Sequence, residues 1–574
     1  MTLRGTLIAA WVAALTCGLV GCGGSPDKTA AAPLVIDVTI AQGQVTPTNA
    51  TLQAKVHQQI TLHVTSDATD GTARAFDAGS QVRRRRGAPP DLPVRRRRAR
   101  QRRRGAAPPG PHDRDHPNTA VSPAPAAVVL AHGLGGSGDL PVPYAYAMVG
   151  AAWALTFTFA LVAFAWRRPR FDPLKPGRAL PAALTAFVDA RATRYTAAGL
   201  ALAVAAWAVA AGVWGPESDA NALLGAFYVL LWVGLVAVSL AIGPVWRVIS
   251  PIRTLYLLAR RVVPERLARP RLSYPKRWGY RPAALGLFAF VWMELASPNP
   301  AAPSWVTGWL LIYTVLMAAG AWLCGQRWLA RADPFGVYSM AVSRLSPFRR
   351  NPRTGRIVVG NPLDHLPSLP VRPGVVVLLA VLLGSTAFDS FSSSPTWRGF
   401  SDRLTREFAA PPALASSVLR TLGLIVFICV VALTFSLAAR ATGGVDAQQR
   451  RALPGQMAHS LIPIVVGYIF AHYLSYLVER GQQAVFALAD PFGRGWNPLG
   501  LAHLQVAYVL SMHPPVLAAI KVTCVVTGHI VAVIAAHDKA LRLLPAGHQL
   551  TGQLAMMLVM VGYTFTGLYL LFGG

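Results

Sequence analysis

The chain has 574 residues, of which 53% are hydrophobic and 14% charged, and its mean hydropathy is +0.41. That balance excludes a soluble multidomain protein, and its repeated apolar runs of about 20 residues read as membrane spans. The formal net charge of +30 would ordinarily point to an anionic partner, but its meaning depends on which side of a membrane each arginine occupies.

Residues 1–22, "MTLRGTLIAAWVAALTCGLVGC", combine Arg4, a short apolar core and Leu19-Val20-Gly21 directly before Cys22. This is the pattern of an export signal. Its ending resembles the bacterial lipoprotein signal, which implies lipidation at Cys22; an uncleaved first helix is the alternative. Cys324, Cys429 and Cys524 lie in later apolar segments, so no disulfide framework or CxxC metal site is expected.

In residues 23–70, Val35, Val38 and Ile40, then Ile60, Leu62 and Val64, recur with approximate period two between turn residues. Short strands of a sandwich are expected, and two or three of them cannot close a core. The segment 71–120 interrupts this domain: residues 81–111 carry twelve arginines and no lysine. Only six of the 54 basic residues in the chain are lysine, as in a gene rich in G and C. Read one nucleotide later, CGN runs encode Val, Ala, Asp or Gly, and the printed arginines can conceal alternating, strand-like sequence. The restored pattern resembles cupredoxin-like domains, whose histidines can bind copper, and no such ligand stands in the printed frame. A genuine arginine-rich disordered linker is the other reading. Residues 121–143 form a linker. Gly133, Gly135 and Gly138 match GxGxxG, but Asp139, Pro141 and Pro143 come next where a phosphate-binding helix is required, so a tight turn is expected.

From 144 to 574 the expected fold is an all-α polytopic membrane protein of about ten transmembrane helices, beside the small, incomplete β-sandwich-like region. The spans are expected near 144–166, 195–214, 222–246, 282–297, 305–326, 374–390, 413–438, 457–478, 514–536 and 549–572. The fourth is short, ends at Pro298 and is expected to be kinked or half-inserted. With the N-terminal region outside, the inner loops hold 30 Lys and Arg and the outer loops 5. The positive-inside rule gives the same orientation as the export signal: a multi-pass protein of a bacterial cell membrane with an extracytoplasmic N-terminal region. Most of the basic charge is thereby explained without nucleic acid.

Ionisable residues inside spans are costly and are functional candidates by default. In the eighth span His472, Ser475, Tyr476 and Glu479 fall at i, i+3, i+4 and i+7, one polar stripe running to the outer surface. His459 sits at its other end. The ninth carries Lys521, His529, His537 and Asp538; Asp389 closes the sixth, and Glu294 lies near the end of the fourth. By depth, Asp389, His472, Glu479 and Lys521 are candidates for an outer cluster, and His459, His529, His537 and Asp538 for an inner one. Lys521 and Glu294 are ion-pair candidates. Such clusters suit a proton or cation relay, or a transition-metal cofactor such as copper or zinc. Interhelical hydrogen bonding without further role is the plain alternative.

The stretches "AHGLGGSGDLPVP", "LLWVGLVAVSLAIGPVWRVISPIRT", "VYSMAVSRLSP", "LLGSTAFDS", "AHSLIPIVVGYIFAHYLSYLVERGQ" and "GHIVAVIAAHDKAL" resemble a family of polytopic membrane proteins of high-GC bacteria often labelled fenitrothion hydrolase. That resemblance implies organophosphate cleavage, although no compact ligand motif such as HExxH is present. "DPFG" occurs at 333–336 and 490–493, as inverted repeats of a transporter would place it. Three functions stay open: transport or metal handling, a membrane-embedded hydrolase, and a structural envelope protein. The expected partners are the lipid bilayer and a metal ion or small molecule.

Overall fold

The computed structural model describes the strands at 34–41, 44–46 and 60–66, and residues 139–572 except 408–410, 498–499 and 502–503. The signal with Cys22, the arginine segment 71–120 and the glycines at 133–138 lie outside the described residues. The chain divides at Ala127 into two units.

In the first unit, β1 (Leu34–Ala41), β2 (Gln44–Thr46) and β3 (Ile60–Ser66) form one sheet in the order β2-β1-β3. β1 runs antiparallel to β2 and parallel to β3, with Leu34 opposite Ile60 and Ile40 opposite Ser66. The period-two runs of the sequence are therefore strands. Three strands make one face, which needs a second layer to bury it.

The second unit is helical: α1 (Tyr144–Ala165), α2 (Arg191–Trp214), α3 (Ala222–Ile242), α4 (Pro251–Val262), α5 (Arg281–Leu295), α6 (Pro303–Cys324), α7 (Pro334–Val342), α8 (Val375–Ser392), α9 (Pro412–Arg440), α10 (Ala447–Ala489), α11 (Pro514–Leu543) and α12 (Leu554–Phe572). Among the described residues nine helices are long and apolar enough to cross a membrane. The remaining candidate span is α5, whose 15 residues cover only about 22 Å at 1.5 Å per residue. It nonetheless joins the two ends of the bundle. At its start the Tyr280 amide donates to Pro373, and beyond its end Ser417 donates to the Ala296 carbonyl. Of the ten expected spans, nine coincide among the described residues with helices long and apolar enough to cross a membrane, and the tenth with this shorter helix.

Burial separates centre from rim. The most apolar windows of α8, α10 and α3 are 72%, 61% and 56% buried, whereas those of α2 and α6 are 17% and 22% buried. Rim helices turn large apolar side chains outward, among them Trp153, Phe164, Leu311, Ile312 and Leu437. Apolar groups on the outside and at the centre alike are what contact with a lipid bilayer calls for. The helices α10 and α11 touch backbone to backbone. A Cβ on Gly528 would stand 2.6 Å from the Pro463 carbonyl oxygen and 3.3 Å from the Gly467 Cα.

The basic loops gather at one end. A small sheet, β4 (Arg178–Ala179) with β6 (Ile357–Val359) and β5 (Phe348–Arg350), ties the loop after α1 to the loop before α8. There Lys175 pairs with Asp364 at 2.9 Å, and the Asp538 carboxylate accepts the amides of Arg170 and Phe171. The poorly charged loops meet at the opposite end, where Tyr228 donates to Pro300 and Trp207 to Leu488. This segregation matches the loop charges of the sequence.

Two π-helical stretches interrupt the centre, Gly225–Gly234 in α3 and Tyr476–Arg480 in α10. The second removes the regular stripe expected from His472 to Glu479, because each π turn inserts about one extra residue and rotates the helix beyond it. The two "DPFG" segments also differ. Asp333 caps the start of α7 by accepting from the Phe335 and Gly336 amides, whereas Asp490 lies just past α10 and accepts from Arg494 and Gly495 in a turn. They are not equivalent halves of a repeat.

Candidate functional site

The site is centred where the last turns of α8 meet the middle of α10. α8 is packed on almost every side, and its Thr386, Ser390 and Ser392 are buried with the apolar residues around them. In hydrocarbon-like surroundings their hydroxyls turn first to carbonyls of their own helix: Thr386 donates to Leu382, and Ser390 lies 3.2 Å from the Thr386 oxygen. Asp389 cannot be satisfied in that way and reaches across to α10.

Asp389 Oδ2 lies 2.9 Å from His472 Nε2 and accepts the Tyr473 hydroxyl at 2.7 Å. The other imidazole nitrogen, Nδ1, is 3.0 Å from Ser390 Oγ, which is in turn 3.1 Å from the Tyr468 hydroxyl. His472 is completely buried, Ser390 is 1% exposed, and the Asp389 side chain keeps 13% exposure. The imidazole plane is fixed by Tyr468, stacked at an interplanar angle of 6°, and by Tyr473, edge-on with ring centroids 4.5 Å apart.

With Asp389 ionised, the donors and acceptors of the network follow. An ionised Asp389 has no hydrogen to offer, so Nε2 carries one and donates to it. Nδ1 then has two states. Neutral, it accepts from Ser390; protonated, it donates to Ser390 Oγ, whose hydrogen turns to the Thr386 carbonyl or to Tyr468. Both states keep every partner satisfied, which is the condition for a proton to move within a buried network without stranding a polar group.

Glu294, from α5, extends the arrangement. It feels the charge of Asp389, and Tyr228, Tyr338, Tyr473 and Tyr476 lie within electrostatic reach of it. Its Oε2 and the Tyr338 hydroxyl are sealed from solvent and make no hydrogen bond among the described residues. Tyr228 and Tyr476 belong to the two π-helical stretches, a conformation found disproportionately at functional sites.

The other candidates go elsewhere. Glu479 does not join Asp389: its carboxylate accepts the Leu510 and Ser511 amides at 3.0 and 2.7 Å and the Ser511 hydroxyl at 2.6 Å, anchoring the loop that precedes α11. Lys521 feels the charge of Asp139. The expected inner cluster does not assemble as one site. His459 and His529 turn Nδ1 to the carbonyls of Gln456 and Val525. His537 bridges Gln553 and the Trp166 carbonyl, while Asp538 holds the loop after α1. These are helix-to-loop ties. Among the described residues no three His, Cys, Asp or Glu side chains are grouped to hold a metal ion.

Ser390, Tyr468 and Tyr473 carry no signal of their own in the sequence, although each adjoins a candidate: Ser390 comes after Asp389, Tyr473 after His472, and Tyr468 stands one turn before it. No protein-family model, curated protein or solved structure matches this chain.

Proposed function

We propose that this chain is an integral membrane protein that moves protons through the Asp389–His472–Ser390–Tyr468 network, coupled to transport of a small molecule or ion. The observation that carries the reading is the fully buried imidazole held at 2.9 and 3.0 Å between a carboxylate and a hydroxyl. An imidazole can accept a proton at one nitrogen and give one up at the other, and an ionisable group placed this deep among apolar helices is costly unless it is used. Asp389, with its residual exposure, is the end through which a proton enters.

The test is proton flux into proteoliposomes under an imposed pH gradient, monitored with an internal pH-sensitive dye. Asp389→Asn and His472→Gln keep the shapes of the side chains and are expected to lower flux about a hundredfold, by analogy with the lower end of general acid–base contributions. Flux equal to that of the unaltered protein in both variants refutes the relay.

One observation favours a second reading. Ser390, His472 and Asp389 connect in the order nucleophile, base, orienting acid, the logic of a serine hydrolase. Against it, the Ser390 hydroxyl is 1% exposed and already shared with Tyr468. A serine-reactive organophosphate probe discriminates: a covalent adduct on Ser390, lost in Ser390→Ala, supports the hydrolase, and an unmodified Ser390 removes it.

A further inference from the structure

A cavity of about 250 Å³ opens at the basic end of the bundle, between α4, the start of α7 and the chain leading into α8. Six arginines line it: Arg247, Arg253, Arg327, Arg331, Arg344 and Arg372. Among the described residues no carboxylate lies within ion-pair distance of any of them. The one acid in the wall, Asp333, is already engaged, accepting from Trp246, Tyr313 and the amides of Phe335 and Gly336. Burial moreover pushes its carboxyl above the usual range.

The positive-inside rule explains why arginines are frequent at this end, but an ordinary topology arginine faces water or lipid headgroups. Here they converge on one cavity, Arg247 and Arg327 from its exposed side and the other four half-buried, and repel one another. Burial and then the charge of Arg247 pull Arg344 down to about 10, and the same two causes lower Arg253. The Arg344 Nε is buried with no hydrogen-bond partner, although its Nη1 reaches Ser368 and His365. Arg331 and Arg372 lie over the rings of Tyr274 and Tyr280, which hold their guanidinium groups in place without neutralising them. Ser250, the N-cap of α4, also lines the cavity and adds the positive end of a 12-residue helix.

We propose that this cavity binds a phosphate-bearing anion, a phosphate monoester or inorganic phosphate, by bidentate contacts from its arginines. Guanidinium forks match phosphate oxygens in pairs, and a dianion offsets more of the repulsion than a single carboxylate. At about 30 Å³ per water the space equals about eight waters, enough for the phosphate group and the first atoms of whatever it is esterified to. The ester is that of a lipid headgroup or of a soluble molecule, and the site is separate from the proton network described above.

The test uses the purified full-length protein. Inorganic phosphate is titrated calorimetrically into protein in a zwitterionic detergent, and in parallel native mass spectra are recorded after release from nanodiscs containing phosphatidic acid or phosphatidylcholine alone. Saturable phosphate binding identifies a soluble source, and retention of phosphatidic acid over phosphatidylcholine a lipid source. Either is expected to weaken at least tenfold in Arg331→Gln/Arg344→Gln. The exposed pair Arg247→Gln/Arg327→Gln is expected to weaken it severalfold while leaving the melting temperature unchanged, which guards against loss of fold as the cause. Arg266→Gln, at the same end but outside the cavity, is expected to bind as the unaltered protein does. Absence of both phosphate and phosphatidic acid binding, or equal binding by all variants, overturns the assignment.

Discussion

Removing His472 tests whether the central pair is an ion pair or ordinary interhelical glue. In His472→Ala the Asp389 carboxylate loses its Nε2–H partner while Ser390 loses Nδ1. Breaking a buried pair by removing one partner costs about 3–5 kcal/mol, because the other charge stays buried. Asp389 keeps the Tyr473 donor and 13% exposure, so the lower end, about 3 kcal/mol, is expected. Asp389→Ala alone is expected to cost a similar amount. The double variant strands neither partner, and the coupling energy of the cycle is expected to be about 2 kcal/mol, within the range for residues in contact. Neutral hydrogen bonds between membrane helices average only about 0.6 kcal/mol, so the two cases are separable. The assay is reversible unfolding in mixed micelles or by steric trapping in bicelles. A coupling at or below about 0.6 kcal/mol refutes an ionised pair and with it the electrostatic basis of the relay.

Packing and titration give two further expected outcomes. Gly528→Ala is expected to destabilise the protein by about 1–3 kcal/mol, since a Cβ 2.6 Å from the Pro463 oxygen forces α10 and α11 apart, whereas Gly308→Ala, with open space around it, is expected to be neutral or slightly stabilising. Unfolding in the same micelles checks both. His365, beside Arg344 in the basic loops, is pulled down to about 4 by burial first and then by the charges of Arg344 and Arg349. The unfolded chain therefore binds a proton, near its ordinary value of about 6.5, that the folded protein refuses. Its contribution to stability is full above about 6.5 and is lost as pH falls towards about 4. Between those limits the unfolding midpoint of the unaltered protein is expected to fall more steeply than that of His365→Gln, and equal slopes would contradict the assignment.

Much of the architecture is legible in the sequence because membrane helices announce themselves by length and apolarity, and the N-terminal strands by period two. The loop charges also sort the connections correctly into two ends. Within the site, Asp389 and His472 are legible, since ionisable residues in apolar runs stand out. Ser390, Tyr468 and Tyr473 are not, because their residue types are common in membrane helices and carry no such signal. Glu479 is misplaced by sequence alone, because an α-helical stripe assumes a regular period through Tyr476–Arg480, where the chain is π-helical. A local helix type of this kind is set by packing against α3 and leaves little trace in residue order.

By itself, then, the order of residues determined how many apolar segments there are, which ends carry the arginines and which side chains are too polar to be idle in a span. Only the tertiary structure decided which of them meet. Depth along a helix comes from counting residues, but facing depends on helix rotation and crossing, and these are governed by close contacts such as Gly467 against Gly528. For that reason His472 found Asp389 while Glu479 found a loop, and arginines from separate segments, each explicable by topology alone, came to surround one cavity.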